Sequence, residues 1–166
     1  MTAKTGLTAE QYLQTSFPAQ ELEYRDGELV ERPLPDSLHG KTQFLIAAFF
    51  AAIWRKMSLH VRIETRLKLG PNLYLIPDLA VFHPSEPTAR VPEEPPLIVI
   101  EILSEDDRMS AVRTKLQEYE RWGVTHVWLV DPYARKLYTC EAGLHESPTL
   151  GVAELGIELT PLDIFE

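Results

Sequence analysis

A single cysteine, Cys140, in 166 residues rules out an intrachain disulfide and gives no sign of an oxidising compartment. Cys140 itself reads as a small apolar filler in a late strand. Long apolar runs are missing too. The longest, Phe44–Trp54, is far short of the roughly 20 residues that span a bilayer and reads as a buried helix. Met1 to Thr8 has no apolar core of signal-peptide length, so no membrane association and a cytoplasmic location are the expectation. There is no Gly-x-Ser-x-Gly to carry a serine nucleophile, and the five histidines show no metal-ligand spacing. A basic excess is also lacking: 16 Lys and Arg stand against 25 Asp and Glu, a net charge of −9. That tells against a protein that simply coats a phosphate backbone. The distribution softens the objection. Between Lys41 and Lys68 the basic residues Lys41, Arg55, Lys56, Arg62, Arg66 and Lys68 face only Glu64. Both a basic face and a solvated mixture of charges remain open.

What is present fits one α/β domain over residues 1–166, a length that buries enough surface to fold without staples. Thr8 with Gln11 makes a capping box for a helix from Ala9 to about Phe17, stopped by Pro18. Glu21–Arg25 and Glu28–Arg32 flank Asp26-Gly27, a two-residue hairpin signal. Asp36 or Ser37 then caps a long helix to about Met57. His60–Leu69 alternates as a strand, and Leu73–Phe82 reads as the next, after the turn Gly70-Pro71-Asn72. The five prolines of His83–Pro96 preclude regular structure and suggest a rim or lid loop. Leu97–Leu103 is a nearly continuous apolar run, as expected of a strand buried on both faces. A helix from about Asp107 to Trp122 ends at Gly123. His126–Val130 is the next strand, and short strands continue to Leu162–Phe165. From Asp36 the order is therefore helix, three strands, helix, strand.

Charges appear where an apolar core should exclude them. Glu101 interrupts Leu97-Ile-Val-Ile-Glu-Ile-Leu103, and Asp78 follows Pro77 inside the second strand. A buried ionised carboxylate is costly unless a cation or good hydrogen bonds compensate it. Either the two cap neighbouring helices from strand ends, or adjacent strands aim both at one hard cation, Mg2+ or Mn2+. In the following helix Val112, Leu116 and Tyr119 form the inward stripe, and Lys115 borders it. That lysine either snorkels to solvent or pairs with Glu101. Two carboxylates with a metal can polarise a phosphodiester and acidify a bound water, and a lysine can steady the developing charge. Glu23, in the first hairpin strand, is a third oxygen ligand or a solvent-facing glutamate.

The stretches Glu23-Tyr-Arg-Asp-Gly-Glu28, Pro77-Asp-Leu-Ala-Val81, Val99-Ile-Glu-Ile-Leu-Ser104, Lys115-Leu-Gln-Glu-Tyr119 and Gly123-Val-Thr-His-Val-Trp-Leu-Val-Asp-Pro132 occur in this order. With the element order around them, the chain resembles the Uma-type endonucleases of the PD-(D/E)XK, restriction-endonuclease-like superfamily. The resemblance runs from Glu21 to about Tyr138. It implies a mixed sheet flanked by helices, with an N-terminal hairpin and short C-terminal strands added to the core. It also implies Mg2+- or Mn2+-dependent cleavage of nucleic acid, DNA before RNA, in a protein that by analogy forms a homodimer. Asp78, Glu101 and Glu23 are the implied metal and catalytic acids. The superfamily lysine two residues after the acid is here Leu103, so its role carries over to Lys115, with His39 and Tyr119 as additional polar neighbours. A non-catalytic binding module of the same fold is the rival reading.

Overall fold

The computed structural model describes residues 2–4 and 6–166. Strand β1 (Thr2–Lys4) and helix α1 (Ala9–Gln14) come first. Thr8 and Gln11 exchange the two hydrogen bonds of the expected capping box, at 3.2 and 2.9 Å. The helix stops at Gln14, short of Phe17, because Thr15 is already extended. Strands β2 (Leu22–Arg25) and β3 (Glu28–Glu31) form the expected hairpin. Asp26 and Gly27 both take positive φ, 47° and 86°, which a tight antiparallel turn demands.

Helix α2 spans Ser37–Met57, with the Asp36 carboxylate accepting the His39 N–H at 2.8 Å. The expected buried helix is buried on one face only. His39, Thr42, Ile46 and Phe50 are buried at helical spacing, while Phe44 on the far side is 68% exposed and Trp54, near the C-terminal end, is 42% exposed. The helix lies on a sheet and has one inward face.

Two further expectations are corrected. The segment read as one strand, His60–Leu69, is two: β4 (His60–Ile63) and β5 (Leu67–Gly70). Leu73–Phe82 likewise divides into β6 (Leu73–Leu75) and β7 (Leu79–Phe82). Both breaks occur at the same level. Glu64 adopts a left-handed conformation, φ 46°, and its N–H reaches the Asp78 carbonyl at 3.2 Å. The result is a long hairpin whose outer half (β5, β6) and inner half (β4, β7) belong to different sheets. Alternation of side chains survives a change of sheet, so periodicity could not reveal the break.

The chain continues through the irregular 83–97 segment into β8 (Ile98–Ile102), α3 (Met109–Trp122), β9 (His126–Asp131), β10 (Lys136–Cys140), β11 (Leu144–Ser147), β12 (Leu150–Val152) and β13 (Ile157–Leu159). It ends in a short helix, α4 (Pro161–Phe165), where a strand was expected. Thr160 and Asp163 cap that helix and Pro161 starts it, a proline position that favours helix over strand.

Strands β1-β3-β2-β6-β5 make a five-stranded antiparallel sheet, and β11-β10-β9-β8-β7-β4 make a six-stranded mixed sheet, parallel only between β8 and β9. A β12-β13 pair stands apart. One face of the mixed sheet, with Ile98, Ile100, Ile102, Trp128 and Val130, packs on α2, α4 and the β12-β13 pair. The opposite face, with Val99, Val127 and Leu129, packs on Leu116 and Tyr119 of α3 and on Leu67 and Leu75 of the second sheet. Among the described residues no helix is long and apolar enough to cross a membrane.

Candidate active site

The site forms where the two sheets meet. Strands β7 and β8 pair antiparallel with Leu79 opposite Ile100, so Asp78, one residue before β7, comes level with Glu101. Both are buried, at 3% and 8% exposure. Glu23 enters from β2 on the other sheet, His39 from the first turns of α2, and Lys115 and Tyr119 from one face of α3. The six residues singled out in the sequence are therefore gathered around one place. Five of them, Tyr119 excepted, line the same cleft of about 580 Å³.

Lys115 is the hub. Its ammonium lies 2.6 Å from Glu23 Oε1 and 2.8 Å from Glu101 Oε1, and donates to the Ile76 carbonyl at 3.0 Å. An ammonium has three donors, and all three are used inside the protein. Burial opposes its charge, but the two glutamates outweigh burial and hold its pKa above the ordinary value. Lys115 stays an ammonium, a charge donor with no lone pair to take a proton. The Leu103 position, where the superfamily lysine normally stands, is left without a cation, and the ammonium arrives from the helix at the same glutamate.

Glu101 Oε1 also accepts the Tyr119 hydroxyl at 2.9 Å. Burial, with the neighbouring Asp78 charge adding to it and Lys115 opposing, raises Glu101 to about 7. Asp78 behaves oppositely. Burial pushes its pKa up, yet His39, Arg32 and the Ile102 N–H together hold it below the ordinary carboxylate range. Asp78 Oδ2 accepts from Ile102 N at 2.7 Å, and Oδ1 faces Arg32 Nη2 at 3.0 Å and His39 Nε2 at 3.3 Å. His39 is correspondingly raised: burial works against the imidazolium, and Asp78 more than offsets it. Glu23 Oε1 accepts the Ile76 N–H at 2.9 Å besides pairing with Lys115. Ile76-Pro77-Asp78 thus hangs in the gap between β6 and β7, with the Ile76 N–H held by Glu23 and its carbonyl by Lys115.

Sequence reasoning missed three contributors. Arg32 follows β3 and donates to Asp78 Oδ1 at 3.0 Å. Gln43 donates to the Asp78 carbonyl at 3.2 Å and to Glu64 at 3.4 Å. It lies four residues after His39 on one helical face, a spacing that could have found it. Glu64 lines the cleft from the kink between β4 and β5. The basic face contemplated between Lys41 and Lys68 is largely spoken for: Arg62 pairs with Glu86, Lys68 with Glu93, and Arg55 and Arg66 lie over Trp54 and Tyr12.

As a test for a divalent ion, the donor set is all hard oxygen, which suits Mg2+ or Mn2+. A carboxyl raised by burial and by a like charge is one that a cation would return to its ionised form. Against that, no group of three or more His, Cys, Asp or Glu among the described residues is drawn together as an ion cage. Cations of the protein itself, Lys115 and Arg32, stand between the acids. Asp78 and Glu101 are the residues that would hold such an ion, and each now faces a protein cation, Arg32 and Lys115, that the ion would have to displace.

Comparisons with known proteins agree with this fold. A crystal structure of "a putative nuclease belonging to DUF820" from Anabaena variabilis superposes with a TM-score of 0.83 over 96% of this chain and 97% of that one, at 20% identity, a likeness of fold. No curated protein matches the sequence. Residues 9–166 match the model of a family described as "Putative restriction endonuclease", and the chain belongs to that family, Uma2.

Proposed function

We propose that this protein hydrolyses phosphodiester bonds of nucleic acid, DNA before RNA, at the Asp78–Glu101–Lys115 cleft, with Mg2+ or Mn2+ held by Asp78 and Glu101. The observation that carries the proposal is that two buried carboxylates, Asp78 and Glu101, stand level on neighbouring chain segments, with an ammonium at Glu101 that burial fails to neutralise. Such an ion would polarise the phosphodiester and acidify an attacking water. The chain's own residues do the rest. Lys115 keeps a positive charge beside Glu101 and steadies charge that develops on phosphate. Glu23 and the Ile76 carbonyl fix its direction, Tyr119 holds Glu101 in its rotamer, and His39 orients Asp78. Cleaving both strands of a duplex takes two such sites, which a homodimer would supply.

Charge balance supports metal dependence. The cleft is lined by eight carboxylates against Arg25, Arg32 and Lys115, so without a divalent ion it repels a phosphate backbone. Incubating mixed DNA and RNA substrates with wild type and Asp78→Ala, in Mn2+, Mg2+ or chelator, tests the reading. Cleavage by wild type in metal alone is expected. Equal cleavage by Asp78→Ala, or cleavage that survives chelation, defeats it.

One observation favours the rival reading, a non-catalytic module. All three ammonium donors of Lys115 are bonded within the protein. Metal-enhanced binding of intact DNA with no cleavage would select that alternative.

A further inference from the structure

Arg32 belongs to neither carboxylate strand, yet its guanidinium sits at the focus of the site. It lies 3.0 Å from Asp78 Oδ1, and its side chain is only 18% exposed. Burial lowers its pKa, and the charges of Asp78, Glu101, Glu23 and Glu64 together reverse that effect. Those four acids come from the β7 entrance, β8, β2 and the β4-β5 kink; Lys115 pairs with Glu101 and Glu23, and Arg32 is the cation that pairs with Asp78. Asp78 Oδ1 is shared by Arg32 and His39, and Oδ2 is taken by Ile102 N–H. An ionised carboxylate has about four lone-pair sites, so little of Asp78 is left for another ligand.

Arg32 is attached differently from the acids it serves. It follows β3, in the five-stranded sheet, whereas Asp78 and Glu101 are fixed by the β7-β8 pairing of the mixed sheet. Pro33, exposed Leu34 and Pro35 follow it along the cleft wall. The guanidinium can therefore swing away on its own side chain while both carboxylates stay in place.

We propose that Arg32 is a built-in cation that takes the place of the divalent ion at Asp78 and has to surrender that carboxylate for the ion to bind. The proposal rests on the metal reading above. It makes Arg32 a positioning residue that sets the metal concentration at which the site loads. A guanidinium hydrogen-bonded to a carboxylate oxygen, here Arg32 Nη2 to Asp78 Oδ1, competes with an incoming cation through a charge-assisted bond, so removing it should strengthen metal binding while weakening the chelator-treated fold.

Calorimetric titration of Mn2+ into wild type, Arg32→Met and Asp78→Asn, with melting temperatures alongside, tests this. Arg32→Met is expected to bind Mn2+ at least tenfold more tightly than wild type, to melt lower in chelator, and to gain more from Mn2+. Asp78→Asn should bind none. Equal or weaker binding by Arg32→Met, with wild-type binding still dependent on Asp78, overturns the role of Arg32 and leaves the metal site standing. No Mn2+ binding by either protein overturns both. Should Arg32→Met fail to fold, Arg32→Lys keeps the charge and replaces the planar guanidinium with a compact, strongly hydrated ammonium. It should then bind Mn2+ at least threefold more tightly than wild type, and unchanged or weaker binding counts as refutation.

Discussion

The two faces of strand β8 differ in kind. Ile98, Ile100 and Ile102 point into a wholly apolar layer with Phe50, Trp128 and Ile164. On the other face, Val99 packs on Leu116 and Tyr119, and one pleat further along Glu101 meets Lys115. The first face is held by non-directional burial, which tolerates reshaping in small steps. The second is held by matched charges, where each group is stable only while its partner is present. A core can therefore carry chemistry on one side of a strand as long as the other side supplies the bulk of the fold.

Breaking the charged face should have the largest effect. Lys115→Met leaves Glu23 and Glu101 buried without their shared cation, an expected loss of about 3–5 kcal/mol in denaturant unfolding. Cleavage by the surviving folded fraction is expected to fall about 10²–10³-fold. A melting temperature near wild type would show that the ammonium is peripheral to the network.

Ile100→Ala attacks the apolar face of the same strand. It is expected to cost about 2–5 kcal/mol through the cavity it leaves, with Mn2+ affinity unchanged within about twofold, since its side chain lies on the opposite face of the sheet from Glu101. A changed affinity would mean that the faces are mechanically coupled and would blunt the comparison. Tyr119→Phe sits on the boundary. Losing a buried hydroxyl donor to a carboxylate is expected to cost about 1.5–3 kcal/mol, measurable in the same unfolding experiment.

The subtlest effect is in pH. Glu101 titrates near 4.5 when unfolded and is raised to about 7 in the fold, mainly by burial. The folded state therefore binds the extra proton between those values, and stability linked to Glu101 is full below about 4.5 and declines as pH rises through 7. Chelator-treated protein should show this downward slope, and Glu101→Gln should flatten it. An unchanged slope in Glu101→Gln assigns the titration elsewhere.

Much of this was readable before any coordinates. Asp-Gly at 26–27, the Thr8 box, Asp36 and Gly123 are local signals whose physics acts within a few residues, and each marked an element end correctly. The charges at Asp78, Glu101 and Lys115 stood out because apolar surroundings make them expensive, and they do come together. The kink at Glu64 was hidden because no glycine or proline marks it and the alternation of side chains runs on across it. Pro77 did mark the break at Ile76–Asp78, and only the apolar run around it hid the change of sheet. Arg32 was invisible for another reason. Nothing near it in sequence hints at an acid partner 46 positions away, and such pairings depend on how two sheets close on each other.

That closure has a kinetic consequence. Lys115 bonds to Glu23 across 92 residues, and the polypeptide crosses between the sheets twice in the stretch 64–78 that lies between them. Contacts so distant along the chain close late, because the entropy of the intervening loop must be surrendered before they return any energy. The ionic cluster should therefore be among the last parts to assemble during folding, after the α2-backed apolar layer has formed. A chain whose hairpin has yet to dock would carry Asp78 and Glu101 side by side without the lysine clamp on Glu23, and would be folded in most respects before it became competent.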